Sequence, residues 1–172
     1  MKRRLFLASS LALLAAACDR KPADPAEGAD AAPSVPDAAG QAFLDRTAKD
    51  EGVKSTASGL MYKVLKSGPA SGVQPRPQDE VRVHYEGALI DGTVFDSSYQ
   101  AGAPVVFKLG NLIPGWVEGI GLMRPGDEWL LYIPPKLGYG AEGAGNRIPP
   151  NSVLVFRIEL LGVLQIGGPA MG

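Results

Sequence analysis

Residues 111–123, reading NLIPGWVEGIGLM, constrain this chain more than any other stretch, because they describe a helix that cannot stand alone. Pro114 suits the first helical position, where its missing N–H costs nothing, and Arg124-Pro125-Gly126 closes the segment after little more than two turns. Trp116, Val117, Ile120 and Met123 fall on one apolar face. Gly115, Gly119 and Gly121 thin the helix so that a sheet can approach it, and each costs about 1 kcal/mol of helix propensity against Ala. The helix must therefore be held by what it packs on, and the flanking strands are the candidates.

Those strands are legible from their alternation. Residues 60–66 (LMYKVLK) end at Ser67-Gly68-Pro69. Val81, Val83, Tyr85 and Leu89 alternate with Arg82, His84 and Glu86, the period-2 signature of a half-buried strand. Asp91-Gly92 reads as a type I′ turn and residues 93–95 return, giving a hairpin. Residues 104–109 put Val105, Phe107 and Leu109 on one face. Residues 128–133 (EWLLYI) are apolar on both faces and so central in a sheet. Residues 152–161 place Leu154, Phe156, Ile158 and Leu160 on one side. Five or six antiparallel strands and one short helix predict an α+β domain over residues 55–165. The loop 134–151 is too long for a mere connection and is a candidate lid carrying Tyr139, Ile148 and Pro149-Pro150.

Ahead of this body, Lys2, Arg3 and Arg4 precede an apolar run over residues 5–17 that stops at Cys18-Asp19-Arg20. The run is too short to span a bilayer and reads as a signal peptide over residues 1–17. Ala15-Ala16-Ala17 suits cleavage before Cys18, either as a plain secretory site or as the small residues before a lipidated cysteine. The second reading resembles the bacterial lipobox, with Leu14 one place further from the cysteine than that motif has it. A lipid on Cys18 would hold the chain to a membrane, and export by either route places it on the periplasmic side of a bacterial envelope. Arg3-Arg4-Leu5-Phe6-Leu7 also resembles a twin-arginine export motif. Residues 18–40, rich in Ala, Pro and Asp, read as a disordered tether. Residues 41–54 open with a short amphipathic helix (QAFLDRTAKDE), ended by Gly52 and placed to cap the domain, and residues 166–172 read as a flexible tail.

Several chemistries are excluded. A net charge of -1 gives no electrostatic reason to expect nucleic acid. Gly138 to Gly143 has G-x-G-x-x-G spacing, yet Pro134-Pro135 precedes it and no helix start follows to receive a phosphate. Ser97 and Ser98 beside Asp96 invite a hydrolase reading, but the one histidine, His84, alternates away from the Tyr85 face. No cluster has metal-ligand spacing, so neither metal nor cofactor is expected. What remains is an aromatic and aliphatic set whose members, taken singly, are more often core than ligand-binding, so it is their arrangement that carries the information.

Four blocks carry a resemblance: VHYEGALIDGTVFDSS (83–98), LIPGWVEGIGLMRPGDE (112–128), YIPPKLGYG (132–140) and IPPNSVLVFRIELL (148–161). In order and spacing they are similar to the FKBP family of peptidyl-prolyl cis-trans isomerases. The resemblance implies an antiparallel half-barrel of five to six strands wrapped around one short α-helix, with a pocket between them. It implies Trp116 as pocket floor and Tyr85, Phe95, Phe107 and Phe156 as walls, with Leu112, Ile113 and Ile148 as further substrate contacts. The Ile113 N–H and the Tyr139 hydroxyl would bond substrate carbonyls, and Asp96 would be a buried polar residue at the pocket edge. Tyr85, Asp96 and Tyr139 are thus the implied catalytic set.

The lead-in FLDRTAKDEGVKSTASGL resembles the branch related to macrophage infectivity potentiator proteins, without the long dimerising helix, so a monomer is expected. The implied partners are proline-containing unfolded polypeptides, with macrolides as ligands the family pocket can take. Val105, Ala144 and Arg147 stand where many members have an aromatic or apolar residue, which bears on macrolide affinity and substrate preference. The competing reading is a tethered, non-catalytic chaperone of the envelope.

Overall fold

The helix over Pro114–Leu122 meets the strand Glu128–Ile133 at positions with no side chain in the way. A Cβ on Gly115 would stand 2.7 Å from Ile133 Cγ2, and one on Gly119 2.6 Å from Leu131 Cδ1. Gly121 has no such duty, since the nearest atom to its Cβ position is the Pro75 carbonyl oxygen at 3.8 Å. Two of the three glycines therefore answer the demand for close approach.

The computed structural model describes residues 36–166. The expected signal peptide, Cys18, the tether as far as residue 35 and all of the tail but Ile166 lie outside the described residues. In chain order the elements are α1 (Ala38–Thr47), β1 (Val53–Ser55), β2 (Met61–Lys66), β3 (Glu80–Leu89), β4 (Val94–Ser97), α2 (Ser98–Ala101), β5 (Val105–Lys108), α3 (Pro114–Leu122), β6 (Glu128–Ile133) and β7 (Leu154–Leu164). The strands form one antiparallel sheet of seven in the order β1-β2-β6-β7-β3-β4, with β5 paired to the first half of β3. The strand beyond the expected five or six is β1, whose three residues straddle the expected boundary between the lead-in at 41–54 and the domain at 55–165. β6 lies between β2 and β7, where its two-sided apolar pattern belongs.

The sheet has a core on each face. On the α3 side Trp116, Ile120 and Met123 pack with Leu131, Ile133, Leu154, Ile158 and Leu160. On the other, Leu44 of α1 packs with Met61 and Val153. The first helix starts earlier than expected, within the Ala/Pro/Asp stretch. Asp37 caps it, with Oδ1 accepting the Gly40 N–H at 2.6 Å, and Gly40 lies close against Val153.

The β3–β4 hairpin is present, but its turn differs from the type I′ expected. Gly92 N–H donates to the Leu89 carbonyl at 3.0 Å and Leu89 N–H to the Thr93 carbonyl at 2.9 Å, so the loop is Ile90-Asp91-Gly92. Gly92 has φ 87° and Asp91 is not in the positive region, whereas a type I′ turn needs both central residues there. One added loop residue lets a single left-handed glycine close the hairpin.

Candidate functional site

The inward positions of β3 run Val81, Val83, Tyr85 and Gly87, all buried. Tyr85 reaches toward α3, while the missing side chain at Gly87 leaves room for two rings. A Cβ there would lie 2.5 Å from Phe156 Cε1 and 2.7 Å from Phe95 Cε2. In the sequence Gly87 opens a G-x-x-x-x-G spacing that reads only as a turn, with no role at the site, although a glycine in the inward phase of a strand is a recognisable sign of close approach.

These rings frame Trp116. Its indole meets Tyr85 at 5.2 Å and 79°, Phe107 at 5.9 Å and 82°, and Phe156 at 5.1 Å and 86°. Phe95 meets Phe156 edge to face at 5.5 Å. Edge-to-face contacts at these separations each add about 0.5–1.5 kcal/mol beyond area burial. The indole is thus fixed from three sides. Above it lies a cavity of about 220 Å³ lined by Tyr85, Phe95, Asp96, Phe107, Leu112, Ile113, Trp116, Tyr139 and Phe156. Ile148, expected with them, does not line this cavity. It is buried behind the lid, where it pairs with Ala144, and it faces a neighbouring hollow that also touches Tyr139 and Arg147.

Polar groups stand at the rim. The Tyr85 hydroxyl donates to Asp96 Oδ2 at 2.7 Å. Burial raises the Tyr85 phenol well above its ordinary value, and the hydrogen bond to Asp96 raises it further. Burial also raises Tyr139, with the Asp96 charge adding to the effect. Both phenols are therefore neutral donors near neutral pH. Asp96 departs from expectation: it is exposed rather than buried, because it points outward at the mouth while Phe95 and Ser97 beside it turn in. The Ile113 N–H, just ahead of α3, has no partner among the described residues, and neither does the buried Trp116 Nε1.

His84 and Ser98 do form a pair, Nδ1 to Oγ at 3.0 Å, but Ser98 is buried and its oxygen also accepts the Tyr85 N–H at 2.8 Å. The imidazole stacks on Tyr99 at 4.7 Å, away from the cavity, so the pair anchors α2 to β3. Arg147 contributes what sequence reasoning left unassigned. Its Nη1 donates to the Phe95 carbonyl at 3.0 Å and ties the lid to β4. No complementary side chain signals this contact in the sequence, because the acceptor is backbone.

Fold and site together define an antiparallel half-barrel that offers a small, aromatic, tryptophan-floored pocket to a compact apolar group. The family model described as FKBP-type peptidyl-prolyl cis-trans isomerase matches residues 72–161. A second, described as the domain amino terminal to FKBP-type peptidyl-prolyl isomerase, matches residues 19–64. This chain belongs to the FKBP family.

Among its relatives, the probable FKBP-type peptidyl-prolyl cis-trans isomerase FkpA of Neisseria meningitidis is 52% identical over 130 residues, 76% of this chain and 46% of that protein. The FKBP-type 22 kDa peptidyl-prolyl cis-trans isomerase of Escherichia coli is 52% identical over 127 residues, 74% of this chain and 61% of that one. The matched region thus spans about half of the first relative and three-fifths of the second. The crystal structure of FkpA from Escherichia coli aligns with a TM-score of 0.71 at 46% identity, covering 74% of this chain and 58% of that one. A peptidyl-prolyl cis-trans isomerase structure from Pseudomonas syringae aligns at 0.68 and 40%, covering 74% and 92%.

Proposed function

We propose that this chain is a peptidyl-prolyl cis-trans isomerase acting on proline-containing, unfolded or partly folded polypeptides. The observation that carries this reading is the Trp116 indole, held by three aromatic edges beneath a cavity of about 220 Å³. Rotation about an X-Pro bond must cross a barrier of about 20 kcal/mol because it breaks amide resonance, and it makes or cuts no bond to carbon. The catalyst needs no nucleophile. It needs a dry seat for the prolyl ring while the amide twists.

The twisted amide no longer delocalises charge onto its oxygen, so an apolar wall favours it over the planar ground state. The Ile113 N–H and the Tyr139 hydroxyl are donors at the rim for substrate carbonyls, and they hold the chain on either side of the bond while it turns. Tyr85 fixes Asp96 at the polar edge of the same mouth. Lowering the barrier by about 4 kcal/mol corresponds to roughly a thousandfold acceleration.

The N-terminal residues support an envelope setting in this reading: export, cleavage before Cys18, and a lipid on that cysteine as the membrane anchor. Mass spectrometry of the mature N-terminus tests the lipid. Catalysis is tested by refolding a protein limited by proline isomerisation. Acceleration at amounts far below stoichiometric supports the enzyme; an effect only at stoichiometric amounts identifies a holding chaperone instead.

A further inference from the structure

Beside the aromatic cavity lies a second hollow of about 490 Å³, lined by Thr93, Val94, Phe95, Asp96, Ser97, Gln100, Asn146 and Arg147. It shares Phe95 and Asp96 with the aromatic cavity, so these two residues form a wall common to both. The two differ in character: aromatic rings dominate the first, and hydroxyl, amide and charged groups the second.

We infer that this hollow is a subsite for a residue flanking the proline, and that Arg147 makes it select a carboxylate side chain there. The inference rests on the isomerase reading and deepens it. Arg147 is fixed at one point, Nη1 on the Phe95 carbonyl, which holds the guanidinium against the wall common to both cavities. It forms no ion pair among the described residues, so its remaining donors are open to a substrate. Asn146 and Gln100 line the same hollow and add amide donors to it.

The opposing charge is Asp96, the one carboxylate that lines the hollow. Its Oδ2 already accepts the Tyr85 hydroxyl on the prolyl side, which turns that oxygen toward the aromatic cavity. The Tyr85 bond occupies one oxygen of Asp96 and leaves the carboxylate at the shared wall, so selection rests on the two-point binding that the planar Arg147 guanidinium offers a carboxylate. A lysine at the same place would face the like charge of Arg147 and has only the single Asp96 carboxylate to set against it.

The test is a set of proline tetrapeptides carrying Glu, Gln or Lys immediately before the proline, and a second set with the same residues immediately after it. Rates at low ionic strength are compared for wild type, Arg147→Gln and Arg147→Lys. At one of the two positions wild type should favour Glu over Lys in kcat/KM by about two- to fivefold, the scale of an exposed charge pair. Arg147→Gln should abolish that preference, read as the Glu/Lys ratio within each variant so that any overall rate change from loosening the lid cancels; Arg147→Lys should keep part of it, and 0.5 M salt should erase it in wild type. Rates that proceed with no Glu/Lys difference at either position overturn the subsite and leave the isomerase standing. A preference that survives Arg147→Gln assigns the selection elsewhere and overturns the role of Arg147. No acceleration of any peptide defeats the isomerase reading itself.

Discussion

Asp79 and Asp127 hold the same place in two copies of one turn. Arg76-Pro77-Gln78-Asp79 leads into β3 and Arg124-Pro125-Gly126-Asp127 into β6. In each, Oδ2 of the aspartate accepts the N–H of the arginine three residues back at 2.8 Å. In each, Oδ1 accepts a backbone N–H from a distant segment, Ile166 at 3.0 Å for Asp79 and Gly68 at 2.6 Å for Asp127. Two strands of the half-barrel thus begin from the same carboxylate-centred turn, and each turn ties a remote loop to its strand.

The Asp79 turn gives a pH dependence. The Arg76 side chain hydrogen bonds hold the Asp79 carboxyl at about 2, and the Arg76 and Ile166 backbone N–H groups add to the lowering, against an opposing effect of burial. Because the folded value lies below the ordinary 3.8, the stabilisation is complete above that value and is lost as the pH falls toward 2. Asp79→Asn should lower stability near neutral pH and flatten the decline between about pH 4 and pH 2, read by chemical denaturation at stepped pH.

The glycines of α3 predict opposite signs for one kind of substitution. Gly115→Ala should destabilise the protein by about 1–3 kcal/mol, because the new methyl meets three atoms of the branched Ile133 side chain at 2.7–3.1 Å and overpacks the contact. Gly121→Ala meets only the Pro75 oxygen at 3.8 Å and should stabilise by up to about 1 kcal/mol through helix propensity. Denaturant midpoints of the two variants decide it.

Much of this architecture was legible in the sequence, for identifiable reasons. Pro114 marked the start of α3 correctly because an orphan N–H position tolerates proline, and the alternation in β3 and β7 read true because one face of each is buried. The start of α1 was hidden because Asp37 sits among many similar Asp, Ala and Pro residues. It acts as a cap only once Gly40 rests on Val153, a contact between distant parts of the chain. The short β1 is too brief to show a period.

At the site, the resemblance placed nine of ten residues around one cavity, but the exposure of Asp96 and the retreat of Ile148 depend on how β4 and the lid turn. Arg147 escaped because its partner is a backbone carbonyl. The repeated Arg-Pro-x-Asp is present in the sequence, but its shared role shows only where the distant Ile166 and Gly68 N–H groups meet the two carboxylates.

The Tyr85–Asp96 hydrogen bond links the pocket wall to its rim. Tyr85→Phe removes the donor but leaves an exposed carboxylate that water can solvate, so stability should change by no more than about 1 kcal/mol. The peptide kcat/KM should fall by up to about tenfold, since Asp96 is no longer held at the mouth. In wild type, ionisation of Tyr85 should leave activity level up to about pH 10, because burial keeps the phenol protonated there.

Tyr139 stands partly exposed on the lid, so its hydroxyl contributes little to folding. Tyr139→Phe should reduce kcat/KM several-fold while leaving the thermal midpoint within about 1–2 °C of wild type. A full rate in the purified variant would remove the hydroxyl from the mechanism.

The central claim is that the X-Pro bond turns while its proline rests on the Trp116 indole. Exchange NMR of a proline tetrapeptide with substoichiometric protein measures this directly, since it reports both the cis-trans exchange rate and the shifts of the prolyl ring protons. The account predicts accelerated exchange together with upfield prolyl shifts from the indole ring, and Trp116→Ala should lose both and destabilise the fold by about 3–5 kcal/mol. Unaccelerated exchange, or acceleration with no upfield shift of those protons, would contradict it.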